Sequence, residues 1–173
     1  MQEKMLDLSA IRILVVDDNS NMRSLVKYII RVLGVQALKE ASDGAEAFTI
    51  LKTFNADIIV TDWMMDPLDG IDFTRLIRTA KDSPNPMVPI IMLSGFTEAQ
   101  RIVEARDAGV TEFVGKPISP KALYLRIAEV ILRGRQFVRT KDFFGPDRRR
   151  HSDTNYKGML RRAADQENDD ENG

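Results

Sequence analysis

Along the first 132 positions, short runs of β-branched and other apolar residues alternate with longer segments in which apolar residues recur every three or four positions. The first kind predicts buried strands and the second amphipathic helices, and their alternation predicts βαβ units around a parallel sheet. Five such pairs can be counted. Ile11 to Val16 is apolar apart from Arg12, and Asn19 or Ser20 can cap the helix that follows through Leu33, which Gly34 stops. Val35 to Lys39 reads as a weaker strand. Ser42-Asp43-Gly44 then opens a helix with Ala45, Phe48 and Leu51 or Lys52 on one face, ending at Asn55.

Asp57 to Thr61 is apolar on both faces, the mark of a central strand, and Asp62 falls at its carboxyl end. A helix is expected from Ile71 to Lys81 and a loop at Ser83-Pro84-Asn85-Pro86. Val88 to Leu93 is the fourth strand. Thr97 to Ala108 is helical up to Gly109, Glu112 to Val114 is a short fifth strand, and Ser119 to Arg133 is the last helix.

Composition narrows the chemistry. With 43% hydrophobic and 29% charged residues, the 173-residue chain can build one packed core. It has no cysteine and one histidine, His151, which excludes thiolate metal sites, cysteine nucleophiles and any site built on two imidazoles. The absence of cysteine suits a reducing compartment. Without a long apolar run, the chain is expected to be soluble, unprocessed and cytoplasmic, with no membrane partner.

In an open parallel sheet, ligands bind beyond the carboxyl ends of the strands. The first strand ends in Asp17-Asp18, the third in Asp62, the fourth in Ser94 and the fifth in Lys116-Pro117. Three crowded carboxylates raise one another's pKa unless a cation compensates them, and hard oxygen ligands favour Mg²⁺. Asp17, Asp18 and Asp62 are therefore candidate Mg²⁺ ligands, with the backbone carbonyl of Met64 as a further one. Asp62, kept ionised, could attack phosphorus to give an acyl phosphate. Ser94 and Lys116 could then bond the new phosphoryl oxygens. Phe113 is placed to rotate into the space that Ser94 vacates.

Together, Asp17-Asp18, Asp62-Trp63, Leu68-Asp69-Gly70, Ser94-Gly95 and Lys116-Pro117 resemble the receiver domains of two-component response regulators, over roughly Ile11 to Arg133. The resemblance implies a flavodoxin-like, doubly wound sheet of five parallel strands in the order 2-1-3-4-5. It implies Asp62 as phosphoacceptor, Asp17 and Asp18 on Mg²⁺, Ser94 and Lys116 reading the phosphoryl group, and Phe113 as switch aromatic. It further implies a histidine kinase or histidine phosphotransfer protein as donor, a downstream protein target, and an output face on the fourth helix, fifth strand and fifth helix. Two departures stand out. The family usually has proline four residues after the phosphoacceptor, where this chain has Asp66 and shifts the proline to Pro67. Met64 and Phe96 occupy positions that are often polar, and apolar bulk there is expected to prolong the life of the phosphorylated form. Trp63 is expected to lie over the site.

The alternatives are a degenerate receiver that signals by binding alone and a Mg²⁺-dependent phosphohydrolase. The phosphohydrolase would need a second acid/base group, for which only Asp66 offers itself, and a solvent-excluding cap that the chain does not encode. Residues 1–133 thus form the expected receiver, which catalyses no reaction beyond its own phosphorylation and dephosphorylation. Residues 134–173 form a charged extension, disordered or a docking arm. From Arg133 to Arg162 ten Lys and Arg against three Asp give +7, whereas the last eleven residues carry -5. The extension is too short for a DNA-binding output domain. Phe143, Phe144, Tyr156, Met159 and Leu160 could anchor it on a partner or fold it back across the receiver.

Overall fold

The computed structural model describes residues 5–95 and 99–147. Five parallel strands, β1 (Arg12–Val16), β2 (Ala37–Ala41), β3 (Ile58–Asp62), β4 (Ile90–Ser94) and β5 (Glu112–Gly115), form one sheet in the order β2-β1-β3-β4-β5. Between and after them run α1 (Ser20–Val32), α2 (Gly44–Leu51), α3 (Gly70–Thr79), α4 (Ala99–Ala108) and α5 (Pro120–Leu132). This is the flavodoxin-like, doubly wound arrangement.

Strand periodicity sorts the core into two layers. Ile13, Val15, Ile58, Val60, Ile91, Leu93 and Val114 face α1 and α5, where they meet Val26, Ile30, Leu123 and Ile127. Leu14, Val16, Ile59 and Ile90 face the other way, onto Ala47 and Leu51 of α2 and Phe73 and Ile77 of α3. Beneath α4, Met92 packs with Trp63, Ile71, Ala105, Ala108 and Val110. The central strands β3 and β4 are buried along their whole length, as expected of strands covered on both faces.

Short polar side chains start the helices. Asn19 accepts from the Asn21 and Met22 N–H groups, Asp43 from Glu46, Asp69 from Asp72 and Ser119 from Ala122. Gly34 and Gly109 follow α1 and α4 with φ of +100° and +109°, the left-handed turn that ends a helix cheaply only at glycine.

Beyond α5 the chain forms an antiparallel hairpin, β6 (Phe137–Arg139) and β7 (Phe144–Pro146), lying against α3. Phe137 and Phe144 pack with ring centroids 5.6 Å apart and planes tilted by 51°, and Arg139 lies over Phe144 at 4.2 Å. The apolar pattern predicts no element here, because strands of three residues are too short to display a period. Residues 148–173, with the arginine cluster, His151, Tyr156, Met159 and Leu160, lie outside the described residues, as does Phe96.

Candidate functional site

β1, β3, β4 and β5 each lead to a polar group at the carboxyl edge of the sheet. Asp17 follows β1 and bonds through its N–H to the Ala41 carbonyl of β2. Asp62 is the last residue of β3 and Ser94 the last of β4; both are buried at 5% exposure. Lys116 follows β5, its N–H donating to the Ser94 carbonyl at 2.9 Å. The next peptide bond, Lys116–Pro117, is cis, as is Asp66–Pro67.

Asp17, Asp18 and Asp62 come together, each with a carboxylate oxygen within 4.8 Å of the others. Lys116 Nζ reaches Asp62 Oδ1 at 2.6 Å. Among the described residues, then, Lys116 is the cation set against three carboxylates. Asp17 is fully buried; its Oδ1 accepts from the Asn19 N–H at 2.8 Å, while Oδ2 has no hydrogen-bond partner among the described residues. Burial, with the Asp62 charge adding to it, pushes the Asp17 carboxyl above its ordinary value despite the Asn19 hydrogen bond and the Lys116 charge. An orphaned carboxylate oxygen held out of water beside two more acidic groups suits a hard divalent cation such as Mg²⁺.

Three residues that the strand pattern does not single out hold this geometry. Arg23, one turn into α1, donates from Nη1 to the Asp17 carbonyl at 2.8 Å and is itself paired with Glu40. The Asp66 N–H donates to Asp18 Oδ2 at 3.1 Å and ties the β3–α3 loop to the acidic pair. Proline at position 66 could not make that bond. Gly70 opens α3 so close to β3 that a Cβ there would lie 2.2 Å from the Asp62 carbonyl. In the sequence Gly70 stands out within Leu68-Asp69-Gly70 and Asp66 as a departure from the family's proline, whereas nothing there points to Arg23.

Phe113 lies in register with Met92 and packs, half-buried, against the cluster beneath α4. Met64 is 57% exposed beside Asp62 in sequence. Trp63 does not lie over the site: it is 2% exposed and packed beneath α4 with Ile71 and Ala105, because the alternation that turns Asp62 to the sheet edge sends its neighbour into the core.

Residues 13–128 match the response regulator receiver domain family. The chain is 37% identical over 122 residues to the chemotaxis protein CheY of Pseudomonas aeruginosa, covering 70% of this chain and 97% of that protein. It is 36% identical over 123 residues to the chemotaxis protein CheY1 of Helicobacter pylori, covering 70% and 96%. The crystal structure of Vibrio cholerae CheY4 superposes with a TM-score of 0.64 at 28% identity, covering 69% of this chain and 98% of that one. No helix among the described residues is long and apolar enough to cross a membrane. The sheet order, the strand-end groups and the match over residues 13–128 agree: the chain belongs to the receiver-domain family of two-component response regulators, as a CheY-like signalling protein.

Proposed function

We propose that the protein is a phosphorylation-dependent switch in which Asp62 takes a phosphoryl group from a histidine kinase or histidine phosphotransfer protein. The observation that carries this reading is the meeting of Asp17, Asp18 and Asp62 within 4.8 Å, with Lys116 on Asp62. Asp17, Asp18, Asp62 and the Met64 carbonyl would hold Mg²⁺, which when bound supplies the positive charge that gathers phosphoryl oxygens against an acidic site.

The chain's own groups do the rest. An Asp62 oxygen attacks phosphorus, the P–N bond to the donor histidine breaks, and the imidazole leaves with that electron pair. Lys116, already on Asp62, transfers its ion pair to the phosphoryl oxygens, and the Ser94 hydroxyl donates to another. Withdrawing Ser94 makes room for Phe113. The resulting surface on α4, β5 and α5 binds a protein target in a cytoplasmic pathway, and phosphorylation acts by favouring one of two conformers. The family match and the strand-end geometry support this assignment.

The test is incubation with acetyl phosphate and Mg²⁺, followed by intact mass. The unaltered chain should gain one phosphoryl group and Asp62→Ala none. Steady acetyl phosphate hydrolysis that depends on Asp62, with no adduct beyond a trace, would favour a phosphohydrolase instead. No reaction, with a cognate kinase failing too, would favour binding alone.

A further inference from the structure

The hairpin lies beyond the 13–128 match, at the end of the sheet opposite the acidic cluster, and grips both ends of the turn that joins α4 to β5. At the β5 end, Arg135 Nη2 sits 2.6 Å from Oε1 of Glu112, which is 3% exposed, and Arg126 of α5 approaches the other oxygen at 3.7 Å. At the α4 end, the Gly109 carbonyl accepts from Arg78 Nε and Nη2 at 3.2 and 2.9 Å. The Phe137 ring covers the Arg78 guanidinium at 4.9 Å. Gly145 meets Gly109 directly; a Cβ at 145 would stand 3.1 Å from the Gly109 Cα.

These contacts bear on the strand that reads the phosphoryl group. β5 has four residues, pairs with β4 on one side, and forms the sheet edge. Lys116, four residues from Glu112 and so roughly 13 Å along the chain at about 3.3 Å per residue, is presented to Asp62 at the strand's far end. When Asp62 becomes an acyl phosphate, Lys116 must leave its 2.6 Å position, and an edge strand can follow only as far as its root allows. Contacts at that root stabilise the unphosphorylated form to the extent that such a shift would loosen them.

We propose that residues 134–147 are a brace on the α4–β5 segment that weights the receiver towards its unphosphorylated state, so that releasing the hairpin eases phosphorylation. The proposal rests on the switch reading above. Within it, Arg135 and Phe137 act as positioning residues for β5, through Glu112 and through Arg78.

The experiment compares the full chain with Arg135→Ala, Arg135→Lys and Phe137→Ala. It follows amide hydrogen exchange and the initial rate of phosphoryl-adduct formation at sub-saturating acetyl phosphate with Mg²⁺. In Arg135→Ala, exchange across residues 109–115 should accelerate while β1 stays unchanged. The adduct rate should rise about fivefold or more, because it scales with the competent fraction. Arg135→Lys should recover most of both effects. Phe137→Ala, which leaves the Arg135–Glu112 pair in place, should move both in the same direction by less and serves if Arg135→Ala does not fold. Unchanged exchange at 109–115, acceleration spread equally through β1, or local acceleration with an unchanged or slower adduct rate would each overturn the brace as a weight on the switch. If the unaltered chain took up no phosphoryl group, even from a cognate kinase, the switch reading would fall and this weighting with it; the exchange data would still show whether the hairpin fastens β5.

Discussion

At the carboxyl end of the sheet, Asp17 is fully buried with one oxygen unpartnered among the described residues, and Asp18 and Asp62 crowd it with Lys116 set against them. At the amino end Arg78 is just as deeply buried. Its donors, however, reach the carbonyls of Pro86, Val88 and Gly109, and an aromatic ring closes over it. Burial pushes this guanidinium down to about 9, still charged at neutral pH. Glu112, at the start of β5, is paired with Arg135 and Arg126. Both ends bury charge, but only the carboxyl end leaves it poorly compensated. That contrast in compensation supports reading the acidic cluster as a candidate site and Arg78 as structure.

Substitutions at the two ends should separate these roles. The largest expected effect is on stability at the amino end: Arg135→Ala removes the 2.6 Å partner of the buried Glu112 carboxylate and should cost about 3 kcal/mol by chemical denaturation. A loss close to zero would mean that the hairpin is not fastened there. Next, Gly70→Ala forces a Cβ against the Asp62 carbonyl and should cost roughly 1–3 kcal/mol. It should also slow adduct formation, since Asp62 must shift; normal stability and normal rate together would contradict the close approach.

Smaller again is Asp66→Pro, which removes the N–H that Asp18 accepts. Calorimetric titration with Mg²⁺ should show affinity weakened by about 1 kcal/mol, discounted for an exposed loop, whereas Asp66→Ala keeps the N–H and should bind almost normally. Equal losses in both variants would assign the effect to the Asp66 carboxylate. The smallest effect is expected away from either end. Lys52 and Asp82 pair at 3.6 Å with both side chains more than half exposed, and Lys52→Ala should change stability by less than about 0.5 kcal/mol.

The order of elements and the strand-end residues were legible because buried central strands announce themselves by composition, and ligand groups in this topology must lie where those strands end. Less was legible wherever burial and secondary structure part company. Val35 to Lys39 reads as a strand, yet β2 begins two residues later; Val35 is buried in the turn after Gly34, its N–H bonded to the Ile30 carbonyl. Trp63 looks like a site residue by adjacency to Asp62 but belongs to the core. The ties made by Arg23 and Asp66 run to and from backbone atoms, which leave no trace in residue type. The hairpin is held by contacts as far apart in sequence as Arg78 and Phe137, and no local pattern reports them.

The central claim is that the carboxyl edge of the sheet accepts a phosphoryl group on one particular carboxylate. Its most direct test is to treat the full chain with acetyl phosphate and Mg²⁺, reduce the acyl phosphate with borohydride, and locate the altered residue by peptide mass. Reduction at Asp62 alone is the predicted result. Reduction at Asp17, Asp18 or Asp66 with Asp62 unmodified would contradict the account.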